Sequence, residues 1–149
     1  MNTVLWVRRD LRVHDNPALI AAIENGATRA VFISTPNQWE RHHLAPIKAD
    51  LMCRHLQLLS EQLDDLGIAL IHIKATDFAD QVTLLQAYCA SNNVERIFAN
   101  TEPEYDEVNR DQKVTEQGLP LELFQSDTIV PLGKVLNKQG EMFKVFTPF

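Results

Sequence analysis

Short apolar runs alternate with longer segments in which apolar residues recur at helical spacing. The apolar runs predict five strands, at residues 3–7, 30–34, 68–73, 96–99 and 119–124. The longer segments predict four helices, at residues 17–25, from 46 to 67, from 77 to about 92 and from about 104 to 117. Residues 35–45 are polar and predict a loop. Strands that alternate with helices in this way are typical of right-handed βαβ units.

This order of elements indicates an α/β fold. We expect a doubly wound, Rossmann-like sheet of five parallel strands in the order 3-2-1-4-5, with helices on both faces. In the long helix that begins at Pro46, one stripe of residues follows helical spacing and is expected to pack against the sheet. The stripe consists of Leu51, His55, Leu58, Leu59, Leu63 and Leu66.

The last part of the chain differs from the rest. Residues 126–149 show no clear periodicity and end in the segment FKVFTPF, whereas chain ends are usually polar. We therefore expect another domain or a partner to cover this segment, and the chain to be the front piece of a larger protein. The expected division is an α/β domain at residues 1–130 and the start of an interdomain linker at residues 131–149.

Composition narrows the function classes. The formal net charge is −6, and because DNA-binding surfaces are usually basic, another part of the protein is expected to hold any nucleic acid. Cys53 and Cys89 lie far apart in sequence and are read as two buried thiols in a reducing cytoplasm. No secretory signal opens the chain, and no apolar run approaches the ~18 residues of a membrane span, so a cytoplasmic protein is expected.

The sequence lacks the motifs of several common nucleotide-binding and catalytic sites. The turn after the first predicted strand contains no glycine, which excludes a dinucleotide-binding turn and a P-loop. No HExxH zinc motif, GxSxG nucleophile elbow or cysteine nucleophile motif is present. The sequence therefore predicts no catalytic residue and no metal site in this chain.

Three polar loops follow the carboxyl ends of the first, second and fourth predicted strands, where ligands bind in such sheets. The first loop, residues 8–15, has three arginines and two aspartates, and a structural ion-pair network is favoured there over ligand contact. In the second loop, Trp39 and His42 could stack on a flat heterocycle, and Trp39 could equally be a core anchor.

In the third loop, Glu104, Asp106 and Glu107 stand at the start of a helix. Acidic residues there interact favourably with the helix dipole. Alternatively, one carboxylate accepts a pair of N–H donors from a pterin- or guanidine-like edge. The residues alone leave both interpretations open.

Three segments carry a resemblance to a known family. Residues 4–19, VLWVRRDLRVHDNPAL, resemble the opening of the DNA photolyase/cryptochrome family. Residues 100–111 resemble the family's segment after the fourth strand, and residues 144–149 resemble the boundary between its two domains. Residues 35–39, with His42 and Pro46, are most similar to bacterial class I cyclobutane pyrimidine dimer photolyases that use a folate antenna.

The resemblance implies an N-terminal domain that binds a light-harvesting antenna, typically 5,10-methenyltetrahydrofolate. A C-terminal helical domain of the same chain would hold FAD and the damaged DNA, and excited reduced FAD would split the pyrimidine dimer by electron transfer. This chain alone is therefore not expected to catalyse repair. The alternatives are a cryptochrome-type blue-light photoreceptor domain, or a free-standing nucleotide-binding or docking module.

The resemblance also implies site residues. His42 would pack on the folate ring system, and Glu107 would accept hydrogen bonds from the pterin edge. Asp106 is the third expected cofactor-binding residue, and it stands where folate-binding relatives usually carry asparagine. Because an ionised aspartate only accepts hydrogen bonds, this departure predicts a weaker folate site or a different antenna.

Overall fold

A computed structural model describes residues 2–126, 136 and 138–141. Strands and helices alternate along the first 124 residues. They are β1 (Thr3–Val7), α1 (Pro17–Glu24), β2 (Arg29–Ser34), α2 (Pro36–Arg41), α3 (Pro46–Asp65), β3 (Ala69–Lys74), α4 (Phe78–Asn92), β4 (Arg96–Asn100), α5 (Tyr105–Glu116) and β5 (Leu121–Phe124).

The five strands form one parallel sheet in the order β3-β2-β1-β4-β5, which confirms the predicted fold. In the centre, Val4 of β1 lies opposite Arg29 of β2 on one side and Ile97 of β4 on the other. Both neighbours of β1 are reached by crossovers through helices, as parallel pairing requires. The strand order therefore reverses next to β1, which places the expected ligand crevice beyond its carboxyl end.

Helices cover both faces of the sheet. Because side chains alternate along a strand, Leu5 and Val7 of β1 join the core beneath α1 and α3, whereas Val4 and Trp6 join the core beneath α4 and α5. All five residues of β1 are buried. Burial on both faces explains why this strand is a continuous apolar run in the sequence.

Helix α3 turns a different face to the sheet from the one predicted. Leu59 and Leu63 are buried, but Leu51, Leu58 and His55 are exposed, so the prediction that His55 is packed is wrong. The helix carries apolar residues at two overlapping helical spacings, and contact with β3 selects the stripe that contains Met52, Leu56, Leu59 and Leu63.

The two cysteines also differ from the prediction. Cys89 is a buried free thiol, and burial raises its pKa to about 11. Cys53 is free but exposed, so the expectation of a second buried thiol is wrong. Cys53 directly follows Met52, and the rotation of α3 that packs Met52 turns its neighbour outward.

Residues 35–45 are not simply a loop. They contain α2, which begins with Pro36 at its first turn and ends at His42 as the C-cap. Proline at that position has no N–H to lose and favours a helix start, a signal that the polar composition obscured. His43 then adopts a left-handed φ of 55°, and the chain turns back toward α3.

Most of the predicted linker, residues 131–149, lies outside the described residues, as does the whole of the segment at 144–149 that carries the domain-boundary resemblance. None of the helices in the part of the chain that the structure describes is long and apolar enough to cross a membrane.

Candidate functional site

A cavity of about 220 Å³ opens beyond the carboxyl ends of β1 and β2. All three predicted loops contribute to it, together with residues from α3 and α4. Its lining residues are Arg8, Arg9, Phe32, Ile33, Thr35, Gln38, Trp39, His42, Leu44, Met52, Phe78, Gln81, Glu102, Glu107 and Arg110. The cavity thus has aromatic walls, and it is lined by both arginine and glutamate side chains.

Arg8, Arg110 and Glu102 line the floor of the cavity, and together with Asp111 behind them they form a buried floor network of two arginines and two carboxylates. Arg8 donates to Asp111, and Arg110 donates to Glu102 at 2.7 Å and to Asp111 at 3.1 Å. The Nε atom of Arg8 lies 3.5 Å from Glu102. Every side chain in this floor network is less than a tenth exposed, so the charges compensate one another rather than being hydrated.

Trp6 lies against the floor network. The guanidinium carbons of Arg8 and Arg110 lie 4.7 and 5.1 Å from the centre of its ring, within the range of cation–π attraction. Arg110 is also 4.8 Å from the ring centre of Phe78, an aromatic wall of the cavity. The network therefore joins the sheet core to the start of α4.

Burial and charge pairing shift the floor's titrating groups. Burial alone would raise the pKa of Glu102, but the guanidinium groups of Arg110 and Arg8 hold it below its usual value. Burial, with repulsion from Arg110, lowers the pKa of Arg8. Arg9, half exposed, donates to Glu102 at 2.7 Å and to Glu104. Arg8 and Arg9 thus form the ion pairs predicted for the first loop, whereas Arg12 donates to the backbone carbonyls of His14 and Asp15.

Asn100, at the end of β4, ties the first loop to α1. Its side-chain oxygen accepts from the backbone N–H of Ala18 at 3.1 Å, and its amide donates to Asn16 at 2.7 Å and to Asp10. Asn16 in turn caps α1 by accepting from Leu19. Burial raises the pKa of Asp10 despite these hydrogen bonds. The loop is therefore held by the strand that lies beside β1.

The mouth of the cavity brings together residues from α2 and α5. Trp39 and His42 come from α2 and its C-cap, and Glu107 comes from the first turn of α5. Trp39 also packs against the core that includes Phe32 and Leu59, so it serves both as a core anchor and as a cavity wall. Glu107 makes no ion pair with any described residue and keeps its acceptor oxygens available.

Asp106 does not line this cavity. Its Oδ2 atom lies 3.3 Å from Nε2 of His42, and its side chain borders a separate cavity that Arg41, Asp77 and Lys113 also line. Of the three predicted site residues, the structure brings His42 and Glu107 into one cavity and places Asp106 beside His42, outside the lining of that cavity.

Two cavity residues that the sequence did not predict, Phe78 and Gln81, lie at the start of α4, the helix that follows β3. Asp77 caps α4 by accepting from Asp80 at 3.0 Å, and this turn presents both residues to the cavity. Gln81 is buried and donates to the carbonyl of Ile33 at 2.7 Å, but its Oε1 atom has no partner among the described residues. In the sequence, the polar Gln81 lies three positions after Phe78 on the otherwise apolar stripe of α4. This departure from the apolar pattern is the signal that could have identified Gln81 as a cavity residue.

Comparison with known proteins gives a consistent result. A family model described as DNA photolyase matches residues 3–149. The deoxyribodipyrimidine photo-lyase of Vibrio cholerae is 42% identical over 151 residues, which cover 98% of this chain and 32% of that protein. Cryptochrome-1 of Arabidopsis thaliana is 30% identical over 151 residues, which cover 99% of this chain and 22% of that protein.

Among solved structures, a bacterial class III photolyase from Agrobacterium tumefaciens matches with a TM-score of 0.72 at 23% identity. The match covers 99% of this chain and 30% of that one, and it shows a common fold. The chain spans about a third of the length of the photolyases that it matches.

Proposed function

The chain belongs to the DNA photolyase family, and we propose that it forms the antenna-chromophore-binding domain of a deoxyribodipyrimidine photolyase. The observation that carries the proposal is that His42 and Glu107, which lie 65 positions apart in the sequence, line one cavity at the switch point of the sheet. Residues 1–130 would form this domain, and residues 131–149 would begin the linker to the next one.

The longer protein would carry the repair chemistry. Flavin and a folate- or pterin-type antenna are the chromophores of this family, and we propose FAD for a C-terminal helical domain and 5,10-methenyltetrahydrofolate for the cavity. The net charge of −6 supports DNA contact through the helical domain rather than through this one. The higher identity to a photolyase than to a cryptochrome supports repair over signalling.

The cavity suits part of such an antenna. Its volume of about 220 Å³ is smaller than the roughly 300–1,000 Å³ of pockets that enclose a whole small ligand. It can therefore enclose one ring system, with the rest of the ligand outside. The aromatic walls, the free carboxylate of Glu107 and the unpartnered oxygen of Gln81 suit a heterocycle that carries N–H donors.

In this proposal, His42 stacks on the ring system and Glu107 accepts hydrogen bonds from its N–H edge. The floor network keeps Arg8 and Arg110 engaged with Glu102 and Asp111, so it shapes the cavity without supplying a free charge. A bound folate would supply near-UV absorption and pass the excitation energy to the flavin.

The test is an absorbance spectrum of this chain after mixing with 5,10-methenyltetrahydrofolate and desalting. We expect near-UV absorbance to be retained in proportion to protein, and to be reduced in Glu107→Ala. If this chain retains no chromophore and the longer protein does, the helical domain completes the site. Retention by neither would overturn the assignment of folate to this cavity.

A second assay tests the division of labour between domains. This chain, without the FAD-binding domain, is expected to show no light-dependent repair of dimer-containing DNA. Repair by this chain alone, after removal of contaminating full-length enzyme, would contradict the proposal.

A further inference from the structure

The relation between Asp106 and His42 suggests a role for Asp106 that differs from ligand contact. We propose that Asp106 is a positioning residue, which holds the His42 imidazole at the cavity mouth through the contact between its Oδ2 atom and Nε2 of the ring, and does not itself touch the antenna. The inference rests on the proposed function of the cavity. It replaces the expectation, drawn from the resemblance, that this position contacts the folate directly.

The lining of two neighbouring cavities supports this role. His42 lines the main cavity, whereas Asp106 does not line it and borders a smaller cavity that adjoins it at Gln38, Phe78 and Arg110. The two side chains meet at 3.3 Å between Nε2 and Oδ2. Asp106 therefore contacts the proposed stacking residue without lining the cavity itself.

The backbone leaves His42 in need of such a contact. His42 is the C-cap of a six-residue helix, and its N–H donates to the carbonyl of Gln38 within that helix. Its side chain is more than half exposed, so packing does not hold the ring in one orientation. Because the helix is short and the ring is exposed, the orientation of the imidazole depends on the groups that contact Nε2.

Two groups approach the same nitrogen with different chemistry. The side-chain nitrogen of Gln38 lies 3.0 Å from Nε2 of His42, and Asp106 lies on the α5 side. An ionised Asp106 can only accept, so a favourable contact requires a proton on Nε2. Gln38 offers a donor or, after a half-turn of its amide, an acceptor. Because Gln38 can adapt to either role and Asp106 cannot, Asp106 is the partner that restricts the orientation of the ring.

The other charged groups around the cavity are less able to take this role. Glu102 is already paired with three arginines, Arg8, Arg9 and Arg110. Those arginines are also paired with other carboxylates, Arg9 with Glu104 and Arg8 with Asp111. Glu107 lines the cavity directly, where the proposed ligand would engage it. Of the described carboxylates, Asp106 is the one that meets His42 within ion-pair distance.

A double-mutant cycle on this chain tests the inference. The affinity for 5,10-methenyltetrahydrofolate is measured by absorbance titration for wild type, Asp106→Ala, His42→Ala and the double variant. We expect Asp106→Ala to weaken binding by about 1.5- to 5-fold, as for an exposed ion pair, and His42→Ala by about 2- to 13-fold, as for one aromatic contact. The double variant should bind no more weakly than His42→Ala.

The cycle discriminates between mechanisms. If Asp106→Ala weakens binding equally in the His42→Ala background, Asp106 contacts the ligand and the inference is wrong. It is also wrong if Asp106→Ala leaves the affinity of the wild-type background unchanged. The matched control is Asp50→Ala, which removes another exposed, ion-paired aspartate, 3.0 Å from Arg54 on α3, and should change nothing.

A second readout needs no folate, so it separates failure of this inference from failure of the proposed function. The ligand-free chain is treated with diethyl pyrocarbonate, which modifies accessible imidazole nitrogens, and the adducts are located by tandem mass spectrometry. We expect His42 to react faster in Asp106→Ala than in wild type, with the neighbouring exposed His43 unchanged as an internal standard. An unchanged His42 rate would show that Asp106 does not hold the ring.

Discussion

The floor and the mouth of the cavity use similar residues in opposite ways. Both contain ion pairs that lie beyond the carboxyl ends of the strands. In the floor, Arg8 and Arg110 are 3% exposed, and their carboxylate partners are 7–9% exposed. At the mouth, the side chains of His42 and Asp106 are 57% and 43% exposed. Burial decides whether a charge is structural or available.

The difference follows from desolvation. A buried ion must be paired, because removing one partner leaves an uncompensated charge away from water, whereas an exposed pair contributes little to stability. The floor therefore pairs two cations with two carboxylates, which leaves no net charge for a ligand. The mouth can keep Glu107 without an ion-pair partner among the described residues, because water solvates it.

The largest expected effect is a difference in stability between two variants that carry the same substitution at two aspartates of α5. Asp111→Ala leaves Arg8 and Arg110 underpaired in the floor and should lower the free energy of unfolding by about 3–5 kcal/mol. Asp106→Ala, five residues earlier in α5, should lower it by no more than about 1 kcal/mol. Urea denaturation measures both. Equal losses would show that burial does not separate the two regions.

The second prediction concerns acid. Glu102 has a folded-state pKa below its usual value, so its contribution to stability is present above its unfolded pKa of about 4.3 and is lost as the pH falls through the folded value. Glu102→Gln should lower the free energy of unfolding by about 1.5–3 kcal/mol at pH 7.

Denaturation at a series of pH values checks the sign of this effect. The difference between wild type and Glu102→Gln should shrink as the pH falls below about 4. A difference that stays constant down to pH 2 would contradict the assigned role of Glu102 as a buried, paired carboxylate.

The third prediction is that the mouth affects binding without affecting folding. Glu107→Ala should weaken folate binding by about 1.5–3 kcal/mol, the range for a hydrogen bond to a charged group. Its free energy of unfolding should change by less than about 1 kcal/mol, since the side chain makes no described ion pair. Titration and denaturation of one preparation give both values. An unchanged affinity would remove Glu107 from the site.

The smallest effect is expected for Asp106→Asn, which keeps the shape of the side chain. It should change the free energy of unfolding by less than about 0.5 kcal/mol. The corresponding Asp111→Asn should destabilise the chain by a larger amount, because Asp111 serves both Arg8 and Arg110. Similar values at the two positions would remove the distinction between floor and mouth.

Parts of the candidate site could be predicted from the sequence, because ligands of open parallel sheets bind beyond the carboxyl ends of the strands. His42 and Glu107 follow strands whose carboxyl ends meet there, and they share a cavity. That Asp106 would turn away from it could not be predicted. Adjacent residues on a helix point about 100° apart, and the rotation of α5 about its axis is set by the burial of Arg110, Asp111 and Val114.

The sequence by itself determined the alternation of strands and helices, the apolar runs of the buried strands and the cluster of charged residues after β1, because apolar periodicity and loop composition are local properties. The strand order was expected from the general arrangement of doubly wound sheets, and pairings such as that of Val4 with Ile97 confirm it. Only the tertiary structure decided which carboxylates the arginines meet, since Arg8 pairs with Asp111 across 103 positions. It also decided which stripe of α3 is buried and how α2 closes the mouth. These outcomes depend on contacts between segments that are distant in sequence, and no local pattern records such contacts.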